Sequence, residues 1–270
     1  MTSGYEEQRI TVRGTEVRLL RAGAGPPLLF LHGPGDSGAW SPILDSLALT
    51  HTVYRPDHPG FGYSDDDDRV DSVHDLGFFY LDFLSELEVA RVSIVGVSLG
   101  GWIGADLATI EPGRVERLVL VGSAGLRVEG VEQPDVFMLS ALQLAELTYH
   151  RPEFRERAAV EAAGLEADGD ELQRYLRNRV GTAHLAWNPY FHDPTLPNRT
   201  HRVTAPTLVV WGADDRVLPP AHGERWRELL PNARLQLIPD AGHLPHIEQV
   251  ETVVELIAPF LSTPTAEIRH

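Results

Sequence analysis

The strongest constraint on this chain is one short segment. Val92-Ser93-Ile94-Val95 runs directly into Gly96-Val97-Ser98-Leu99-Gly100-Gly101, and helix-forming residues follow. A run of this kind reads as a strand, and residues 99–110 read as a helix. No loop separates the two, so the chain must turn from strand to helix almost at once. Side chains flanking so tight a turn would clash, and glycines at Gly96 and Gly100 remove them. In a strand–turn–helix context, G-x-S-x-G lifts its serine hydroxyl to the carboxyl end of the sheet. There the helix start offers free N–H groups and a positive dipole end. Ser98 is therefore the candidate nucleophile.

Alternating elements extend to both sides of this turn. Residues 9–13 and 16–21 read as a hairpin around Gly14, and 27–32, 52–57 and 116–121 read as strands. Residues 72–87 have helical spacing, with Leu76, Phe79, Tyr80, Phe83, Leu84 and Leu87 on one side. From 126 to 202 the sequence is mostly helical and polar, with Pro and Gly breaks. Strand pattern resumes at 207–211, followed by a helix at 221–230, a strand at 234–238 and a helix at 250–261. Such alternation predicts an α/β fold, a mostly parallel central sheet with helices on both faces. The 270 residues suffice for one such domain with an insertion. The expected organisation is a core of 1–125 and 203–270, with a helical cap inserted at 126–202.

A serine hydroxyl needs a neighbouring base. The chain has 12 histidines, so position must select one. After the predicted strand 234–238 comes Pro239-Asp240-Ala241-Gly242-His243. A histidine in that loop lies on the same sheet edge as Ser98, where ligands gather in α/β sheets. An acid to orient it should follow an earlier strand. Gly212-Ala213-Asp214-Asp215-Arg216 follows 207–211, and spacing alone leaves Asp214 and Asp215 both open.

Taken together, these segments resemble the α/β-hydrolase superfamily, and within it the capped esterase and carbon–carbon-bond hydrolase branch. The matching stretches are LLFLHGPG (Leu28–Gly35), DHPGFGYS (Asp57–Ser64), GVSLGGW (Gly96–Trp102), PTLVVWGADDRVLPP (Pro206–Pro220) and AGHLPHIEQ (Ala241–Gln249). They span almost the whole chain in the family's order. The resemblance implies the α/β-hydrolase fold with a cap, the base at His243 and, from the W-G-x-x-D-x-x-x-P pattern, the acid at Asp215. Relatives that break carbon–halogen bonds or open epoxides carry Asp where this chain has Ser98. Carbon–carbon-bond hydrolases often carry Trp where it has Leu244. The family's oxyanion donors correspond to Leu99 and Pro34, and proline has no N–H. Gly35 is the expected replacement. Losing a donor costs about 100- to 1000-fold in rate. The resemblance thus implies a serine hydrolase of esters, thioesters, lactones or vinylogous diketones. The gap at Pro34 keeps open a lyase, cyclase or addition reaction on the same triad, or a ligand-binding relative. Expected substrate-pocket residues are His32, Pro34, Trp102, His184, Trp187, Phe191 and Leu244, with His32 also bonding within the oxyanion loop. Arg177 and Arg179 are candidates for binding a substrate carboxylate.

Composition removes other classes. A formal charge of −16 leaves no basic footprint for nucleic acid and disfavours anionic membranes. Without cysteine there are no disulfides, thiolate metal sites or cysteine nucleophile. Residues 1–10 are polar and acidic, unlike a signal peptide, and no apolar run approaches the ~18 residues of a membrane span. A soluble, cytoplasmic protein is expected, acting on a small molecule without cofactor or metal and compatible with a homodimer. His243, His246 and Glu248 could ligate a metal, but Pro245 disfavours a regular helix there. The Asp65–Asp68 run reads as a solvated loop.

Overall fold

Side chains two apart on a strand share a face, and here both faces are apolar. The computed structural model describes residues 4–35, 38–164 and 169–263. Its strands are β1 (Glu6–Val12), β2 (Thr15–Ala22), β3 (Pro27–Leu31), β4 (Thr52–Pro56), β5 (Val92–Val97), β6 (Val115–Val121), β7 (Thr207–Gly212) and β8 (Ala233–Ile238). They form one sheet in the order β1-β2-β4-β3-β5-β6-β7-β8. The β1–β2 hairpin and the β2–β4 pair are antiparallel, and every pair from β4 to β8 is parallel. Leu29, Leu31, Ile94, Leu118, Leu120, Val209 and Trp211 face one apolar cluster. Their neighbours Leu28, Phe30, Val95, Val119, Val121, Leu208 and Val210 face another.

A sheet that is apolar on both sides must be covered on both. Helices α2 (Val73–Glu86), α3 (Leu99–Ile110) and α7 (Ala221–Leu229) cover the first face. Helices α1 (Pro42–Ala48) and α9 (Val250–Ser262) cover the second. The expected mostly parallel, doubly covered sheet is present. Two helices depart from the sequence reading, and for the same reason. Proline costs little in the first turn of a helix, where its missing N–H has no partner to lose. Pro42 opens α1, which the pattern did not suggest. Pro245, read as disfavouring a regular helix there, opens the four-residue α8 (Pro245–Glu248).

Residues 126–202 leave the sheet after β6 and return at its neighbour β7. They carry α4 (Ala141–Thr148), α5 (Pro152–Gly164) and α6 (Gly169–Ala186). A capping box of Ser140 and Gln143 starts α4. The α6 helix docks on the loop after β4, where Asn178 Oδ1 accepts the Gly62 N–H at 2.9 Å and Arg177 reaches Asp66 at 2.8 Å. The aspartate run is thus partly engaged, because Asp67 also pairs with Arg69. No described helix is long and apolar enough to cross a membrane.

Candidate active site

Ser98 sits at φ 51°, ψ −113°, backbone that costs a non-glycine residue about 1–3 kcal/mol. Its surroundings hold it there. A Cβ at Gly96 would lie 2.4 Å from the Gly100 carbonyl oxygen, and one at Gly100 would lie 2.1 Å from that of Leu31. The Ser98 N–H donates to Val121 at 2.9 Å, and its carbonyl accepts from Gly101, Trp102 and Ala124. The glycines permit the close approach and the hydrogen bonds fix it.

Two further loops reach the serine from the same sheet edge. His243 Nε2 lies 3.1 Å from Ser98 Oγ, and His243 Nδ1 lies 2.8 Å from Asp215 Oδ2. Asp215 Oδ1 accepts the Val217 and Leu218 N–H groups at 2.9 Å each. With Nδ1–H given to the carboxylate, Nε2 is left to accept the serine proton. All three side chains are buried. Asp214, the other aspartate that spacing left open, faces His150 at 3.4 Å instead.

The His243 loop has a support that the sequence did not reveal. The buried Glu248 carboxylate accepts the Gly242 N–H at 2.6 Å with one oxygen. With the other it accepts the His150 and Arg151 N–H groups at 2.8 Å each. The His243 N–H donates to Thr148 at 2.7 Å. Residues 148–151 of the insertion therefore hold the loop that carries His243. Sequence reasoning weighed Glu248 only as a metal ligand.

On the oxyanion side, the Leu99 N–H starts α3, where it has no acceptor within the helix. Gly33 packs on the elbow, with its Cβ position 3.4 Å from Ser98 Cβ. Pro34 is half-buried and Gly35 exposed, and residues 36 and 37 lie outside the described ones. His32 is fully buried beneath this loop. Its Nδ1–H donates to the Gly33 carbonyl at 2.8 Å, and its Nε2 accepts the His58 N–H at 3.1 Å. His58 stacks on it at 3.8 Å, donates from Nε2 to the His32 carbonyl and accepts the Tyr80 hydroxyl at Nδ1. Burial, then the repulsion that a second proton on the His58–His32 pair and the Arg55 charge would bring, hold the His32 imidazole well below its ordinary range. Burial pushes His58 down to about 4. Both rings are therefore neutral, and they stack without repulsion.

A cavity of about 20 Å³ adjoins Ser98, lined by Val136, Tyr190, Phe191, Val217 and Leu218, room for about one water molecule. A larger recess of about 140 Å³ lies away from the serine, between the Arg13–Asp82 and Arg69–Asp67 pairs. Of the expected pocket residues, only Phe191 lines the cavity. His32 is sealed in the loop's hydrogen bonds, and Pro34 is not among the lining residues. Trp102 turns under Gly125, whose Cβ position is 2.8 Å from the Trp102 Cγ. His184 reaches the Val70 carbonyl, and Leu244 packs against the opposite core face. Trp187 is 56% exposed and contacts the cavity wall through Phe137. Arg177 binds Asp66 and the Gly62 carbonyl, and Arg179 binds the Phe137 carbonyl. Val136, Val217 and Leu218 were missed. Leu218, close behind the acid, carried a usable signal, whereas Val136 depends on how the insertion folds back.

Among the described residues, His150, Asp214 and Asp240 are the side chains grouped closely enough to hold a metal ion, with ligand atoms within 4.8 Å of one another. None of them lines the cavity. The trio of His243, His246 and Glu248 does not converge, because the His246 ring turns into the apolar core beside Phe30.

The sequence model of the alpha/beta hydrolase family matches residues 28–256. A 2-hydroxy-6-oxo-6-(2'-aminophenyl)hexa-2,4-dienoic acid hydrolase from Metapseudomonas resinovorans is 30% identical over 282 residues, 96% of this chain and 92% of that protein. A crystal structure of a serine hydrolase involved in carbazole degradation has a TM-score of 0.76 at 27% identity, covering 96% of this chain and 99% of the other. The 2-hydroxy-6-oxo-6-phenylhexa-2,4-dienoate hydrolase from Rhodococcus sp. strain RHA1 has a TM-score of 0.81 at 21% identity, a likeness of fold, covering 97% and 100%.

Proposed function

Because the chain belongs to the alpha/beta hydrolase family, we propose that it is a serine hydrolase working through an acyl-enzyme on Ser98. The observation that carries this reading is the pair of hydrogen bonds in series, 3.1 Å from Ser98 to His243 and 2.8 Å from His243 to Asp215, at the apex of a strained turn. His243 Nε2 takes the Ser98 proton as Oγ attacks a substrate carbonyl. The tetrahedral oxyanion receives the Leu99 N–H and a second donor from the Gly33–Gly35 loop. His243 returns the proton to the leaving group, and an acyl-enzyme remains. Water then loses a proton to His243, attacks the ester carbon and releases the acid, and Ser98 recovers its proton. Asp215 holds the imidazole in the required tautomer and balances its charge. Small and medium esters, thioesters, lactones and vinylogous diketones have the carbonyl this sequence of steps needs. The insertion at 126–202 is read as the cap over the site.

The first test is reaction of wild type and Ser98→Ala with a fluorophosphonate, read by intact mass, beside turnover of p-nitrophenyl esters. One adduct on wild type, none on the variant and turnover that vanishes with the hydroxyl are expected. Folded wild type that neither labels nor turns over any ester sinks the reading. Pro34 favours one second reading, in which the triad moves protons for an elimination or addition. In water labelled with oxygen-18, hydrolysis puts the label in the released acid, and that second reading does not.

A further inference from the structure

We propose that the acyl side of this site accepts a neutral, apolar chain or ring and discriminates against substrates carrying a carboxylate. The inference rests on the serine hydrolase reading and narrows its substrate class. Apart from Ser98 itself, the cavity wall is Val136, Tyr190, Phe191, Val217 and Leu218. Tyr190 turns only its ring to the cavity's chemistry, because its hydroxyl accepts the Val136 N–H and donates to the Pro134 carbonyl. No lining residue is cationic.

Among the described residues, no arginine lines the cavity. The chain has no lysine, so arginine provides every permanent side-chain cation. Most arginines of the insertion are turned to other partners. Arg174 binds Tyr63, Arg177 binds Asp66, Arg179 binds the Phe137 carbonyl, and Arg199 binds Asp106 and Asp193. Arg216, next to the acid, binds the Tyr149 carbonyl. A carboxylate entering this wall would lose water and gain no cation, a penalty paid only when charges are left unpaired. The formal charge of −16 opposes its approach as well.

What the wall does offer leads outward. Phe191 stacks on Phe137 with centroids 5.6 Å apart, and Phe137 meets Trp187 at 5.1 Å. Trp187 is 56% exposed, and Met138, beside Phe137, is 76% exposed. An unbroken aromatic path therefore runs from the serine cavity to the surface. Exposed apolar groups continuous with a cavity mark a binding track. A medium-length acyl chain or an aryl group matches that chemistry once the wall, which leaves room for about one water molecule, opens to admit it.

The proposal is tested by binding as well as turnover. Ser98→Ala protein is titrated with methyl octanoate and with monomethyl suberate, which differ by a terminal carboxylate, and tryptophan fluorescence is read. The neutral ester should bind at least tenfold tighter, and equal or tighter binding of the carboxylated ester, or no binding of either, overturns the proposal. On wild type, Phe137→Ala should lower the octanoate-to-acetate ratio of kcat/KM about tenfold. Trp187→Arg, at an exposed position that tolerates charge, should raise turnover of the p-nitrophenyl half-ester of suberate relative to octanoate severalfold. Unchanged ratios in both variants overturn it. Selective binding by Ser98→Ala without any fluorophosphonate adduct on wild type would keep the substrate class and discard the hydrolase reading. Labelling with a preference for the carboxylate would do the reverse.

Discussion

Asp215 divides its two oxygens between backbone and chemistry. One accepts two N–H groups from its own turn and the other holds His243. Asp215→Asn keeps the shape but turns one acceptor into a donor, which favours the wrong imidazole tautomer. The expected loss in kcat is about 10⁴-fold, the size seen for the same exchange in the serine protease triad, with a Tm within a few degrees of wild type. Stopped-flow turnover beside thermal melts checks it, and a loss under tenfold would remove Asp215 from the acid's role. The elbow allows a second prediction. Gly100→Ala brings a Cβ within 2.1 Å of the Leu31 carbonyl oxygen, a backbone contact that cannot yield. The variant should lose several kcal/mol of stability, or fail to fold, by overpacking; urea unfolding measures this. At this scale the turn that carries Ser98 was readable because its glycines are part of a covalently local turn. Choosing between Asp214 and Asp215 was not possible from spacing, since the choice depends on which carboxylate the turn caps with its own N–H groups.

Among elements, the telling contact is between α8 and the insertion. Glu248 gathers N–H groups from Gly242, His150 and Arg151, so one carboxylate fastens the His243 loop to residues 148–151. Glu248→Ala leaves three donors short of an acceptor, at about 1–3 kcal/mol for each that stays buried and unpaired. Glu248→Gln keeps an oxygen for His150 and Arg151 but sets an amide against the Gly242 N–H. Its expected signature is kcat lowered about tenfold with KM nearly unchanged, because the base shifts while the cavity wall does not. If Glu248→Gln retains full kcat, the carboxylate has no positioning role. The strands of this fold were legible because burial on both sides writes an apolar run. The α2 helix was legible because Leu76, Phe79, Tyr80, Phe83 and Leu84 repeat on its buried face. The α1 helix was not, being seven residues long with proline at its start. Contacts such as Glu248 to His150 join positions 98 residues apart in the chain, and no local pattern encodes them.

Over the whole molecule, buried neutral imidazoles set how the fold meets acid. His32 is held well below its ordinary range by burial and then by the repulsion that protonating it beside His58 and Arg55 would bring, and burial pushes His58 down to about 4. His246 is pushed down to about 3, by burial first and then by His243, and neither of its ring nitrogens has a hydrogen-bond partner among the described residues. In the unfolded chain each would titrate near 6.5. Below that pH the unfolded state binds protons that the folded state refuses, so stability falls as pH falls. The window runs from about 6.5 down to about 4 for His58 and about 3 for His246. Asp67, held to about 2 by its bond to Arg69, adds to the loss only at lower pH. Between pH 7 and 5, His58 and His246 should therefore cost about 2 kcal/mol each, a large share of a typical folding free energy. Urea unfolding at pH 7, 6 and 5 should show this slope. His246→Leu removes one titrating group and two unpartnered nitrogens from an apolar setting. It should be at least as stable as wild type at pH 7 and lose about 2 kcal/mol less on going to pH 5. Parallel pH dependence in the two proteins would mean that His246 is not a neutral, buried ring in the native state.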